Sequence, residues 1–157
     1  MDALERVEVA VRAAVSNTMS THGEGGAFWY QNASNYQNHK DYSATVKRIE
    51  HLTSLGRKYA PSTRREQTDR LHYPDALTHY LDTYTSPTTP PSWLVIELLT
   101  AGELQRLYAG LARKYRKAIA RELHLTEPVL QSWLKSYVRV RNICAHHGRL
   151  WNRFLGV

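Results

Sequence analysis

The sequence predicts an all-α helical bundle of about five to six helices. Three observations carry this. Apolar residues recur at spacings of three and four in successive segments, no stretch shows the period-two alternation of a half-buried strand, and proline or glycine clusters separate the segments. A chain of 157 residues, 42% of them hydrophobic, can bury one sizeable core, so a single domain over residues 1–157 is expected.

The first element is "DALERVEVAVRAAVSNTMS". Leu4, Val7, Val11, Ala14, Val15 and Met19 form its apolar stripe, with Glu5, Glu8 and Arg12 off it and Asp2 as N-cap. Glu8 and Arg12 are four residues apart, a pair that contributes a few tenths of a kcal/mol, about 0.2–0.5, when it lies only on a surface. Glycines then break the periodicity in "HGEGGAFWYQNASNYQNH", predicting a loop pinned by Phe28, Trp29 and Tyr30. A second helix is expected in "DYSATVKRIEHLTSLGRKY", burying Val46, Ile49, Leu52 and Leu55 and stopping before Pro61. The polar, basic "PSTRREQTDR" suits a solvated helix end or an RNA-facing surface, of which the solvated reading is favoured, and a short third helix follows Pro74 in "DALTHYLDTY".

Prolines exclude helix in "SPTTPPSW" until Pro91. Beyond it, "SWLVIELLTAGELQRLYAGLARKYRKAIARELHL" reads as one broken or two consecutive helices with the break near Gly102. The last helix is expected in "TEPVLQSWLKSYVRVRNICAHH", opening on Thr126 as N-cap. Leu130, Trp133, Leu134, Tyr137, Val138, Cys144 and Ala145 form its inward stripe.

The formal charge of +7, from 21 Lys and Arg against 14 Asp and Glu, favours an acidic partner such as nucleic acid, although solubility alone also accounts for moderate basicity. One cysteine, Cys144, excludes an internal disulfide and any multi-cysteine zinc site, and the adjacent His146 and His147 lack the i,i+4 spacing of a helical ligand pair. No metal and no cofactor is therefore expected. With no apolar run of bilayer length and no signal-peptide pattern at the N-terminus, a cytoplasmic protein without membrane contact is predicted.

One residue breaks the pattern of the final helix. Continuing its stripe by threes and fours places Arg141 on the apolar face, where a guanidinium requires a carboxylate, carbonyls or an anionic ligand. A core ion pair with Glu8 is one answer. Another is a shared site with His146, five residues on, reached if the helix ends at a left-handed C-cap on Gly148. His147, Arg149 and Arg153 suit either cations at a helix end or phosphate contacts. Trp93, Trp133 and Trp151 are expected to be packing anchors.

The motif "RNICAHHGRLWNR" resembles the C-terminal signature of the Abi-like (abortive infection) bacteriophage-resistance family, whose C-terminal part is similar to HEPN-superfamily helical domains. "ERVEVAVRAAV", "GAFWY" and "PPSWLVIELLTAGELQRLY" extend the resemblance backward. An N-terminal half common in the family is expected to be absent, since Met1 stands almost at the first helix. The resemblance implies a metal-independent endoribonuclease acting in phage defence on an Arg-x4-His site. Arg141 would clamp the phosphoryl oxygens and His146 would carry a proton, with Asn142 orienting the histidine or holding phosphate. His147 fits the family's spacing as well as His146 does. Because these nucleases pair two motifs across one groove, the implied unit is a homodimer that meets RNA, with a regulatory or antitoxin partner a further expectation. The competing expectation is a non-catalytic helical module that binds RNA, a nucleotide or a protein.

Overall fold

The computed structural model describes residues 2–59, 76–84, 86, 87, 89–146, 148 and 151, with residues 2 and 55–59 described by their backbone alone. Seven α-helices occupy the described residues: α1 Asp2–His22, α2 His39–Tyr59, α3 Ala76–Thr83, α4 Ser92–Leu98, α5 Ala101–Gly110, α6 Arg113–Glu122 and α7 Glu127–Ala145. Two 3-10 helices, η1 Gly26–Gln31 and η2 Ala33–Asn35, join α1 to α2. The fold is the expected helical bundle. Pro61, the 61–70 segment, Pro74 and the side chains of Asp2 and Leu55 lie outside what is described.

The helix count exceeds the expected five to six because the leucine-rich stretch divides into three. At the first division Thr100 forms a capping box: its hydroxyl accepts from the Glu103 amide, and the Glu103 carboxylate accepts from the Thr100 amide at 2.8 Å. The break therefore falls at Leu99–Thr100, with Gly102 inside the first turn of α5. At the second division the extended Leu111 pairs with Tyr36, and the Ala112 amide donates to the Asn35 carbonyl at 2.9 Å. Tertiary hydrogen bonds replace helical ones there, and Gly110, the last residue of α5, is the local signal of the break.

α1 is the central helix, packed against α4, α5, α6 and η1, while α7 lies on α5 and α6. Val11, Ala14, Val15 and Met19 are buried as expected, but Val7 is 45% exposed. The aromatic segment between α1 and α2 is part of the core: Trp29 and Tyr30 are buried and meet edge to face. Gly25, at φ +100°, turns the chain into η1 in a conformation that side chains rarely adopt. Asn35, fully buried, then locks the turn. Its side chain accepts from the Glu24 amide and donates to the Glu24 and Trp29 carbonyls, each of the latter at 2.8 Å.

The remaining tryptophans do not anchor the core. Trp93 is 50%, Trp133 62% and Trp151 90% exposed, so the expected role as packing anchors is corrected. On α7, only Leu130 and Leu134 of the projected stripe are fully buried; Tyr137, Val138 and Cys144 are half-buried and Ala145 is exposed. The helix rests on its neighbours mainly through its first half, which leaves the second half available to a site. Thr126 occupies the N-cap position without a hydroxyl cap bond.

Candidate functional site

The second half of α7 faces the first three turns of α1. A cavity of about 300 Å³ lies there, lined by Leu4, Glu5, Glu8, Val9 and Arg12 from α1 and by Tyr137, Arg141 and Ala145 from α7. Leu4, Glu8 and Arg12 fall on one line along α1, and about 100° per residue places Glu8 and Arg12 within roughly 80° of Leu4, at the edge of the apolar stripe. Tyr137, Arg141 and Ala145 form the matching i,i+4 line on α7.

Arg12 fixes one side of the cavity. Its guanidinium donates to the Ile96 carbonyl, to the Leu99 carbonyl at 2.6 Å and to Glu8 Oε1, so it caps the open carbonyls at the end of α4 while pairing with Glu8. Both partners are less than one-fifth exposed. The Glu8–Arg12 pair is thus partly buried, and through Arg12 it ties α1 to the end of α4, so the small energy of an only-surface pair does not apply. Tyr137 holds the other carboxylate oxygen: its hydroxyl lies 2.9 Å from Glu8 Oε2 and 2.9 Å from the Leu4 carbonyl.

These contacts set the electrostatics. Burial pushes the Glu8 carboxyl up, but hydrogen bonds from Arg12 and Tyr137, together with the charges of Arg12 and Arg141, outweigh it and hold Glu8 below the usual carboxylate range. Burial, reinforced by the neighbouring Glu8, pushes the Tyr137 phenol up to about 12 against the opposing charges of Arg141 and Arg12. At neutral pH the site therefore holds an ionised Glu8 and a protonated Tyr137.

Arg141 is half-buried and lines this cavity. Glu8 accepts its hydrogen bonds from Arg12 and Tyr137, and the core ion pair with Glu8, one of the two answers for Arg141, is not formed. Among the described residues Arg141 enters no hydrogen bond or ion pair, and it acts on Glu8 and Tyr137 through its charge alone. A half-buried guanidinium with unfilled donors can receive an anion.

His146 is exposed, directly after the last cavity-lining residue, Ala145, and its amide caps α7 on the Asn142 carbonyl at 3.1 Å. Its ring does not line the cavity. Asn142 is exposed beside it. Gly148 closes the helix end by donating its amide to the Ile143 carbonyl at 2.7 Å; its φ is not positive, so the expected left-handed C-cap is replaced by this turn. His147, Arg149 and Arg153 lie outside the described residues. Among the described residues no three His, Cys, Asp or Glu side chains come together as a metal site, and no helix is long and apolar enough to cross a membrane.

Beside the cavity runs an apolar groove of about 430 Å³, walled by Leu4, Val7 and Val11 of α1, Trp133, Tyr137 and Val140 of α7, and the α6–α7 turn. Leu4 and Tyr137 line both hollows, so the groove and the charged cavity share a wall.

The protein is thus an all-helical bundle that presents an unengaged arginine, a clamped carboxylate and a helix-terminal histidine along one edge. It belongs to the Abi-like protein family, whose model matches residues 1–152. No curated protein and no solved structure matches the chain.

Proposed function

We propose that this chain is a HEPN-type, metal-independent endoribonuclease acting in abortive infection, with Arg141 as its phosphate clamp and His146 as a proton carrier. One observation carries the reading: Arg141 lines a cavity while the carboxylate next to it is taken by other donors, which leaves its fork for an anionic ligand. A phosphodiester fits that fork, and negative charge growing on the phosphoryl oxygens during 2′-hydroxyl attack strengthens the contact in the transition state. His146, exposed at the end of the same helix, is free to give its proton to the departing 5′-oxygen; the products are a 2′,3′-cyclic phosphate and a 5′-hydroxyl.

The active unit in this proposal is a homodimer. The apolar groove that shares a wall with the cavity, with Trp133 62% exposed along it, is the surface on which a second copy seats, bringing two motifs to one RNA groove. Sedimentation of the purified chain, run beside RNA cleavage across protein concentration, tests both statements. A cleaving dimer whose specific activity falls on dilution is expected, and Trp133→Ser moves that fall to higher concentration. A strictly monomeric species with undiminished activity would reject the composite unit; no cleavage at any concentration would reject the nuclease.

A second reading is favoured by one observation: the His146 ring does not line the Arg141 cavity. A non-catalytic module that holds RNA, a nucleotide or a phosphorylated partner on Arg141 needs no proton carrier there. It predicts anion binding that depends on Arg141 without any cleavage.

A further inference from the structure

We propose that Glu8 is the general base of this site, taking the proton from the attacking 2′-hydroxyl, and that Tyr137 is the hydroxyl that accommodates that proton. The inference rests on the ribonuclease reading and supplies the proton acceptor that one arginine and one histidine do not provide.

The geometry that points to it is a chain of three oxygens. Tyr137 Oη is 2.9 Å from Glu8 Oε2 and 2.9 Å from the Leu4 carbonyl oxygen. A phenol has one hydrogen, and an ionised carboxylate and a carbonyl are both acceptors. While Glu8 is ionised, the single phenol hydrogen serves two acceptors, so the two contacts cannot both be full hydrogen bonds. A proton on Oε2 completes the pattern: Glu8 donates to Tyr137 Oη, and the phenol turns its own hydrogen to Leu4. The site thus contains a place for one more proton, on a side chain that lines the Arg141 cavity.

The carboxylate is also held still. Arg12, anchored on the Ile96 and Leu99 carbonyls, grips Oε1 and fixes the plane in which Oε2 meets Tyr137. The charged and titratable groups facing Glu8 are Arg12 and Glu5 from α1 and Tyr137 and Arg141 from α7; α4 presents carbonyls.

In the reaction the ribose 2′-oxygen forms a bond to phosphorus as its proton passes to Glu8, and the bond from phosphorus to the 5′-oxygen breaks as protonated His146 gives that oxygen a proton. Arg141 holds the phosphoryl oxygens throughout. Protonated Glu8 and neutral His146 then exchange their protons with water, which restores both.

The test compares Glu8→Gln and Tyr137→Phe with wild type in kcat, in pH profile and in binding of an RNA carrying a 2′-deoxy sugar before the scissile phosphate. The Gln amide donates to Tyr137 Oη and its carbonyl accepts from Arg12, so it reproduces the protonated arrangement and keeps the cross-link. Glu8→Gln is expected to lower kcat about 10²- to 10⁴-fold, the usual share of a general base, while binding of the deoxy RNA is retained. The wild-type rate is expected to rise with pH as Glu8 ionises. Tyr137→Phe removes a hydrogen bond that holds Glu8 down, so this rise should move to higher pH. Wild-type kcat in Glu8→Gln overturns the assignment; if that variant does not fold, an unmoved rise in Tyr137→Phe overturns it instead. Full cutting by Glu8→Gln with none by Arg141→Ala removes Glu8 alone, whereas a wild-type chain that cuts no RNA removes the ribonuclease reading as well.

Discussion

Arg141→Ala and His146→Ala are each expected to reduce RNA cleavage by two to three orders of magnitude or more while leaving the helical circular dichroism unchanged. For Arg141 the expectation follows from its lack of structural partners. Among the described residues its guanidinium makes no hydrogen bond, so its removal unties nothing in the fold, and the ordinary cost of losing a charge-stabilising donor is about 10²–10³ in kcat. For His146 the side chain is exposed at a helix end, and only its backbone amide caps the helix, which alanine preserves. The two variants should differ in binding. Arg141→Ala weakens the hold on an uncleavable RNA, because it removes the phosphate contact, and His146→Ala does not. A well-folded His146→Ala protein that cuts at the wild-type rate would pass the proton-carrier role to His147 or to none. Loss of helical signal in Arg141→Ala would return that arginine to a structural role.

Trp29→Ala should be among the most damaging substitutions to stability, by about 3–5 kcal/mol. Trp29 is fully buried, packs edge to face on Tyr30, and its carbonyl receives the side-chain amide of Asn35. The cavity left by an indole is too large for the neighbouring helices to close, because η1 is tied on both sides: Tyr30 donates to the Pro90 carbonyl and Tyr36 to the Tyr30 carbonyl. Against a domain stability of roughly 5–15 kcal/mol this is a large fraction, and the melting temperature should fall by roughly 6 to 20 °C. Urea unfolding followed by fluorescence and circular dichroism measures it. A loss below about 1 kcal/mol would mean that the aromatic segment only covers the core.

The contrast between these two residues shows what was legible in the sequence. Helical periodicity located α1, α2, α3 and α7 within a few residues, because an apolar stripe that must face a core repeats every three to four positions. It did not locate the break at Leu111, which depends on hydrogen bonds from Ala112 to Asn35 and from Gln37 to Gly110, between residues more than 70 positions apart. The glycines of the α1–α2 connection suggested a loop, while burial of Trp29 and Tyr30 makes it a core element; the aromatic cluster was the available signal.

At the site, Arg141 stood out as a cation on an apolar stripe, and the structure places it on a cavity wall. Glu8 and Arg12 were harder to read. Counted as an i,i+4 pair they look like surface charges, yet their alignment with Leu4 was the signal that they face inward. Tyr137 gave no signal, since a tyrosine on an apolar stripe reads as packing whether its hydroxyl meets a carboxylate or solvent. Periodicity likewise made Trp133 a core residue, because it specifies which side of a helix is apolar and leaves open whether a neighbour covers it.

The most direct measurement is incubation of the purified wild-type chain with end-labelled RNA in EDTA, beside the same RNA carrying a 2′-deoxy sugar just before the cleaved phosphate. Metal-independent attack by the 2′-hydroxyl predicts cleavage of the first to products ending in a 2′,3′-cyclic phosphate and a 5′-hydroxyl, and no cleavage of the second at that position. Products with 5′-phosphates, normal cutting of the deoxy substrate, or cleavage that EDTA stops would contradict it.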